Sequence, residues 1–209
     1  MIFIMKYDGI SYGQKYDSMA TLQAVDLSSM YDDIAQAMIS LMMDQRTEKR
    51  PVMVAILNDG LLMQRRITHH MSKRKVYVDP EKYLDGVAIN TRNLCTTLYR
   101  DDDGQGQKKV EPSSLTEDDV EGADIYLVDT VMKTGRTARA AMEHIFDMGR
   151  AATVRYFTLM YIPSREKPVQ PNYSAAYIGF SPSDSIKISE GEKADGFLDK
   201  IVYAEDLSS

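Results

Sequence analysis

The chain has 209 residues, 44% of them hydrophobic and 27% charged, with a formal net charge of −6. This suits one globular domain with a sizeable core and gives no global pull toward nucleic acid or an anionic membrane. A single cysteine, Cys95, excludes an intrachain disulfide framework and a cysteine-based metal site, and fits a reducing, cytoplasmic location. The apolar run MIFIM at the start is too short for a signal-peptide core, and no run reaches the length of a membrane span.

Residues 1–26 are polar and aromatic, with Gly9 and Gly13 as turn signals, and read as an N-terminal extension holding a hairpin or loop. The remaining domain covers 27–209. From Ser29 to Met43 the spacing predicts a helix with Met30, Ile34, Ala37, Met38 and Leu41 on one face, and Ser29 with Asp32 makes a capping-box-like start. Residues 52–57 (VMVAIL) read as a buried strand ended by Asn58, Asp59 and Gly60, and a second helix follows over 61–72. Strands are predicted at 75–78 and near the end of 88–100, then a long polar surface loop over 101–124 that includes the acid-rich 117–121. Residues 125–129 (IYLVD) are a buried strand, the helix from about Thr137 to Met148 ends at Gly149, and 153–162 form the next strand. The proline-bearing tail holds short strands at 175–180 and 185–189. Alternating apolar strands and amphipathic helices predict an α/β fold with a mostly parallel central sheet flanked by helices, whose ligands bind beyond the carboxyl ends of the strands.

The segment from 124 to 142, DIYLVDTVMKTGRTARAAM, places chemistry at such an end. Asp129 closes the strand, and Thr134, Gly135, Arg136 and Thr137 open the helix. A helix N-terminus offers free N–H groups and a positive dipole end, glycine lets the backbone approach an anion, and the threonines add hydroxyls. With Asp129 accepting from sugar hydroxyls, this describes a site for a ribose 5-phosphate. Spacing alone leaves open a plainer arrangement in which Thr137 is only an N-cap and Gly135 only a turn.

The wider segment resembles the phosphoribosyl-diphosphate (PRPP) motif of type I phosphoribosyltransferases. VMKTGRTARAAM followed by DMGRAA, TLYRDD at 97–102 and AAYIGF at 175–180 are most like the pyrimidine-operon attenuator and uracil phosphoribosyltransferase subfamily. The resemblance implies a parallel core with a small hood, built from the N-terminal region and about 163–209. It implies transfer of a phosphoribosyl group from PRPP to a nucleobase, a pyrimidine such as uracil being favoured, with Mg²⁺ and release of diphosphate. By the same resemblance Lys133, Thr134, Gly135, Arg136 and Thr137 hold the 5-phosphate, and Asp129 holds a ribose hydroxyl and the metal. Arg100 belongs to the loop covering the diphosphate, with Lys108 and Lys109 adding charge. Asn58, Asp59 and Gly60 form the diphosphate loop, and Tyr177, Ile178 and Phe180 lie near the base, unless Tyr177 and Phe180 only pack the hood. Relatives are often dimers or tetramers, so a homo-oligomer is expected.

Two positions depart from the family pattern. Its two adjacent acids read Asp129-Thr130 here, and the diphosphate loop, often basic, carries Asp59. Thr130 still hydrogen-bonds a ribose oxygen but supplies no charge. Lys133 stands where some relatives carry an acid that assists a purine, which disfavours hypoxanthine and guanine. The alternative is therefore a weak or inactive member that senses PRPP or a nucleotide, or binds RNA. Arg65, Arg66, His69, His70, Lys73, Arg74 and Lys75 form a basic run that either contacts RNA phosphates or is a solvated helix face. Asp101, Asp102 and Asp103 either meet Mg²⁺ on loop closure or are solvated. His144 and Cys95 read as structural.

Overall fold

The computed structural model describes residues 5–7, 10–18, 22–23, 26–44, 51–57, 59–74, 77–78, 88–96, 112–179, 186–193 and 196–203. In chain order the elements are β1 (Met5–Tyr7), β2 (Ile10–Tyr16), α1 (Leu27–Asp44), β3 (Val52–Ile56), α2 (Asp59–Lys73), β4 (Tyr77–Val78), β5 (Ala88–Leu94) and α3 (Glu117–Val120). Then follow β6 (Asp124–Met132), α4 (Arg136–Met148), β7 (Thr153–Tyr161), β8 (Tyr173–Ile178), β9 (Ile186–Ser189), β10 (Glu192–Lys193), β11 (Gly196–Phe197) and β12 (Lys200–Tyr203).

Eight strands form one sheet in the order β1-β2-β8-β7-β6-β3-β5-β4. Every neighbouring pair is parallel except β1 with β2. Both faces of its centre are covered, which is why β3 and β6 read as nearly unbroken apolar runs. On one face Met30, Ile34 and Met38 of α1 and Met63 and Ile67 of α2 pack with Tyr126, Val128 and Phe157. On the other, Ala138, Ala141 and Ile145 of α4 pack with Ile125, Leu127 and Tyr156. The methionine face predicted for the first helix is therefore core.

Several boundaries differ from the sequence-based expectation, each for a physical reason. α1 starts at Leu27 because Asp26, not Ser29, caps it: Asp26 Oδ1 accepts the Ser28 N–H at 3.0 Å, and the Asp26 carbonyl accepts the Ser29 hydroxyl at 2.8 Å. The strand in 88–100 lies at its beginning, where β5 pairs with β3 from Val52↔Asn90 to Ile56↔Leu94. Residues 117–121 are not all loop. Thr116 and Asp119 make a reciprocal capping box on α3, and Asp119 also accepts Arg92 Nε at 2.8 Å. β6 runs three residues past Asp129 because pairing with β7 continues to Met132↔Tyr161.

The N-terminal stretch enters the sheet. β2 lies parallel to β8 from Ser11↔Tyr173 to Tyr16↔Ile178, and β1 turns back on it. In the tail, β9 pairs antiparallel with β12, and β10 with β11. Ile186 and Ile201 bring this small structure onto the α1/α2 side of the core.

Candidate functional site

The turn between β6 and α4 is set by Gly135, whose φ of 84° is left-handed. A Cβ there would meet Met132 Cε at 3.2 Å, a flexible side-chain end that can yield, so it is the backbone conformation that calls for glycine. Gly135, rather than Thr137, is the N-cap of α4, and it supplies no side-chain bond to the helix end. The turn's carbonyls face inward instead. The Thr134 carbonyl accepts the Glu166 and Lys167 N–H groups at 2.9 and 3.1 Å, and the Met132 carbonyl accepts the Ile162 N–H at 2.9 Å. Arg136 Nε donates to Glu166 Oε2 at 2.9 Å, clamping the turn to the segment after β7. Lys133, Thr134, Arg136 and Thr137 are all half-buried around this N-terminus. The arrangement is suited to an anion held by α4's first N–H groups.

Asp129 and Thr130 are adjacent and both buried, yet alternation along β6 sends them to opposite faces. Asp129 Oδ1 accepts the Thr130 N–H at 2.8 Å. On its own face Asp129 takes a hydrogen bond from the Tyr156 hydroxyl, whose pKa is pushed well up, first by burial and then by the charge of Asp129. Thr158, its register partner on β7, is fully buried, and its hydroxyl has no hydrogen-bond partner among the described residues.

Thr130 instead borders a cavity of about 350 Å³ together with Asp59, Leu61, Leu62, Arg65, Ile188 and Glu190. This cavity exists because α2 begins hard against β6: a Cβ on Gly60 would sit 2.7 Å from the Val128 carbonyl oxygen. Gln64 fixes the same helix, donating to the Met53 and Arg92 carbonyls at 3.0 and 2.8 Å. Asp59 is exposed at the helix start.

Four members of the basic run on α2, Arg65, Arg66, His70 and Arg74, face carboxylates of the same chain, and Lys75 lies outside the described residues. Arg66 is 3% exposed and grips Asp199, Nε to Oδ2 and Nη2 to Oδ1, both at 2.9 Å. Tyr31 on α1 adds its hydroxyl to Asp199 at 3.1 Å, and the Gly191 N–H adds a bond at 3.0 Å. Burial alone would raise the Asp199 carboxyl, but these partners, led by Arg66, outweigh it and hold its pKa below the usual carboxylate range. Arg65 and Arg66 both donate to Glu190, at 3.0 and 3.1 Å. His70 Nδ1 lies 2.9 Å from Asp32, which also accepts Arg74 at 2.6 Å. Burial lowers the His70 pKa against the opposing pull of Asp32.

Tyr177 and Ile178, expected near the base, are core residues. The Tyr177 ring packs against Tyr12 at 5.2 Å and Tyr161 at 5.6 Å between ring centroids, because β2 covers that edge, and Ile178 is fully buried on the other face. Asn58, Arg100, Lys108, Lys109, Phe180 and Asp101 to Asp103 lie outside the described residues. Glu190, Asp199 and Glu166 carry no sequence signal; only folding brings these acids to the arginines they hold.

The phosphoribosyl transferase domain family matches residues 23–195, from before α1 into the tail, and so includes both the Gly135 turn and the cavity.
The chain belongs to this phosphoribosyltransferase family.
β1 and β2 precede the matched range of the phosphoribosyltransferase domain. Among its relatives, the bifunctional protein PyrR of Limosilactobacillus fermentum is 29% identical over 85% of this chain and 94% of that protein. The bifunctional protein PyrR of Enterococcus faecalis is 31% identical over 74% of this chain and 80% of that protein. Among solved structures, the hypoxanthine phosphoribosyl transferase of Trypanosoma cruzi superposes with a TM-score of 0.58 at 14% identity, covering 87% of this chain and 88% of that one. These likenesses place the phosphoribosyltransferase in the PyrR group by sequence and in the type I phosphoribosyltransferase fold by structure.

Proposed function

We propose that the protein transfers a phosphoribosyl group from PRPP to a nucleobase nitrogen, a pyrimidine such as uracil being preferred, with release of diphosphate. The observation that carries this reading is the Gly135 turn, left-handed and clamped from behind, with the α4 N-terminus in front of it, where only Thr134 Oγ1 reaches the Arg136 N–H, at 3.4 Å. The 5-phosphate sits on those N–H groups, with Lys133, Thr134, Arg136 and Thr137 around it. Transfer breaks the bond from ribose C1 to the diphosphate oxygen and forms one to the base nitrogen. Diphosphate leaves with the bonding pair, and the base nitrogen gives up its proton to solvent.

Most of the acceleration comes from holding the two reactants in line and from stabilising the departing charge. Thr130 orients a ribose oxygen without charge, and Asp129 is held in place by Tyr156 and the Thr130 N–H. Mg²⁺ is ordinarily bound by one or two carboxylates together with substrate phosphates. The carboxylates proposed for that use are Asp129, one residue before Thr130 on β6, and Asp59, exposed on the cavity wall. Bound there, the ion would neutralise diphosphate and offset the like charge of Asp59. Arg100, with Lys108 and Lys109, is proposed to close over the diphosphate, and Phe180 to contact the base. The protein is proposed to work in the cytoplasm and to self-associate.

Calorimetric titration with PRPP and Mg²⁺, then a diphosphate-release screen over uracil, orotate, hypoxanthine, guanine, adenine and xanthine, tests the proposal. Binding with release for one preferred base supports it; PRPP binding with no release for any base overturns it. That second outcome would support the other reading, a PRPP or nucleotide sensor, which the uncharged Thr130 in the cavity favours. If such a sensor also binds RNA, the contact surface lies outside α2's Arg66, His70 and Arg74, which already face carboxylates.

A further inference from the structure

We propose that Arg65 is a phosphate-binding residue held in reserve by Glu190, and that a diphosphate group entering the cavity takes the place of the Glu190 carboxylate on the Arg65 guanidinium. The inference rests on the transferase reading of the site and adds to it the residue that receives the leaving group.

Arg65 and Glu190 both line the cavity that Thr130 and Asp59 border. Arg65 Nη2 lies 3.0 Å from both Glu190 oxygens. Two oxygens on one carbon stand there as two oxygens on one phosphorus would, and guanidinium donors accept either anion. The pair is built to exchange. Its side chains are 56% and 46% exposed, so water screens the attraction and the bond is weak.

The neighbouring pair shows the contrast. The Arg66 side chain is 4% exposed, that of Asp199 is fully buried, and two hydrogen bonds join them. Arg66 cannot leave, and it also holds Glu190 at 3.1 Å. Glu190 therefore keeps a cation when it releases Arg65. Arg66 thus anchors the tail structure, and Arg65 is left as the exchangeable cation.

The placement also suits an extended ligand. Asp59, Leu62 and Arg65 follow at three-residue steps along α2 and line the cavity together with Thr130 of β6. β6 carries Thr130 and ends at Met132, three residues before the Gly135 turn.

The experiment is calorimetry with Mg²⁺ on the full chain, using three probes: ribose 5-phosphate, inorganic diphosphate and PRPP. Arg65→Gln is expected to weaken diphosphate about 10- to 100-fold, the usual size of a lost charged hydrogen bond, and to leave ribose 5-phosphate unchanged. Arg65→Lys keeps the charge without the fork and should fall between Arg65→Gln and the unmodified chain. Glu190→Gln is expected to tighten diphosphate about 2- to 5-fold, the size of an exposed ion pair removed from competition. Unchanged diphosphate affinity in both Arg65→Gln and Glu190→Gln overturns the proposal, as does weaker binding in Glu190→Gln. Failure of the unmodified chain to bind ribose 5-phosphate or PRPP would sink the transferase reading instead, and the diphosphate series would still judge Arg65. Thermal melting of each variant separates a lost ligand contact from a lost fold.

Discussion

Replacing Gly60 by alanine would drive a methyl group against the Val128 carbonyl, 2.7 Å from the ideal Cβ position. Backbone on both sides leaves nothing flexible to yield, so Gly60→Ala should destabilise by about 1–3 kcal/mol, read from urea melts, and should also displace Asp59 from the cavity wall. Gly135 is limited by conformation, with a φ of 84°. Gly135→Ala should cost about 1–2 kcal/mol of folding stability and weaken ribose 5-phosphate binding in calorimetry. Thr130→Asp puts a carboxylate on the cavity wall that Thr130 borders. If the site is a transferase, the diphosphate-release rate should rise roughly 10- to 100-fold. His70 adds a pH dependence. Burial holds its folded pKa below the unfolded value of about 6.5. Its contribution is therefore present above that pH and is lost as pH falls through the folded value. Urea midpoints should drop below about pH 6.5, and His70→Gln should flatten that drop.

At the scale of elements, α2 does the most to assemble the site. Its first turn abuts β6 through Gly60, and its cavity face carries Asp59, Leu62 and Arg65. Its buried Arg66 fastens the tail through Asp199, which also engages Tyr31 of α1. Asp199→Ala would leave Arg66 buried and short of its main counter-charge, and a broken buried pair costs about 3–5 kcal/mol. The loss should appear as a lower melting temperature together with looser protection of β9 and β12 in hydrogen exchange. Asp199 also has its folded pKa below its unfolded one. Its contribution is present above the unfolded carboxylate value and disappears as pH falls through the folded one, so Asp199→Ala should narrow its deficit in strongly acidic buffer. The basic run on this helix was legible as charge. Its pairing was not, because Asp199 lies 133 residues from Arg66 in the chain.

For the whole molecule, the apolar runs read at 52–57 and 125–129, and helices with one apolar face between strands, were enough to read a parallel α/β sheet. The Gly135 turn was legible for the same reason: local backbone geometry is written in local residue types. β2 was not legible as a parallel strand beside β8, since a parallel partner has no turn or register signal in its own sequence. It also decided Tyr177, which packs against Tyr12 where a base contact was expected. Asp129 and Thr130 were read as neighbours on one site, but the pleat divided them between Tyr156 and the cavity. The sequence by itself thus determined the fold class, the family and the glycine turn before α4, because periodicity and short motifs act over a few residues. Only the tertiary structure decided which charges meet in the cavity, because Asp59, Arg65, Thr130 and Glu190 come from α2, β6 and the end of β9, and burial and distance, not spacing, select their partners.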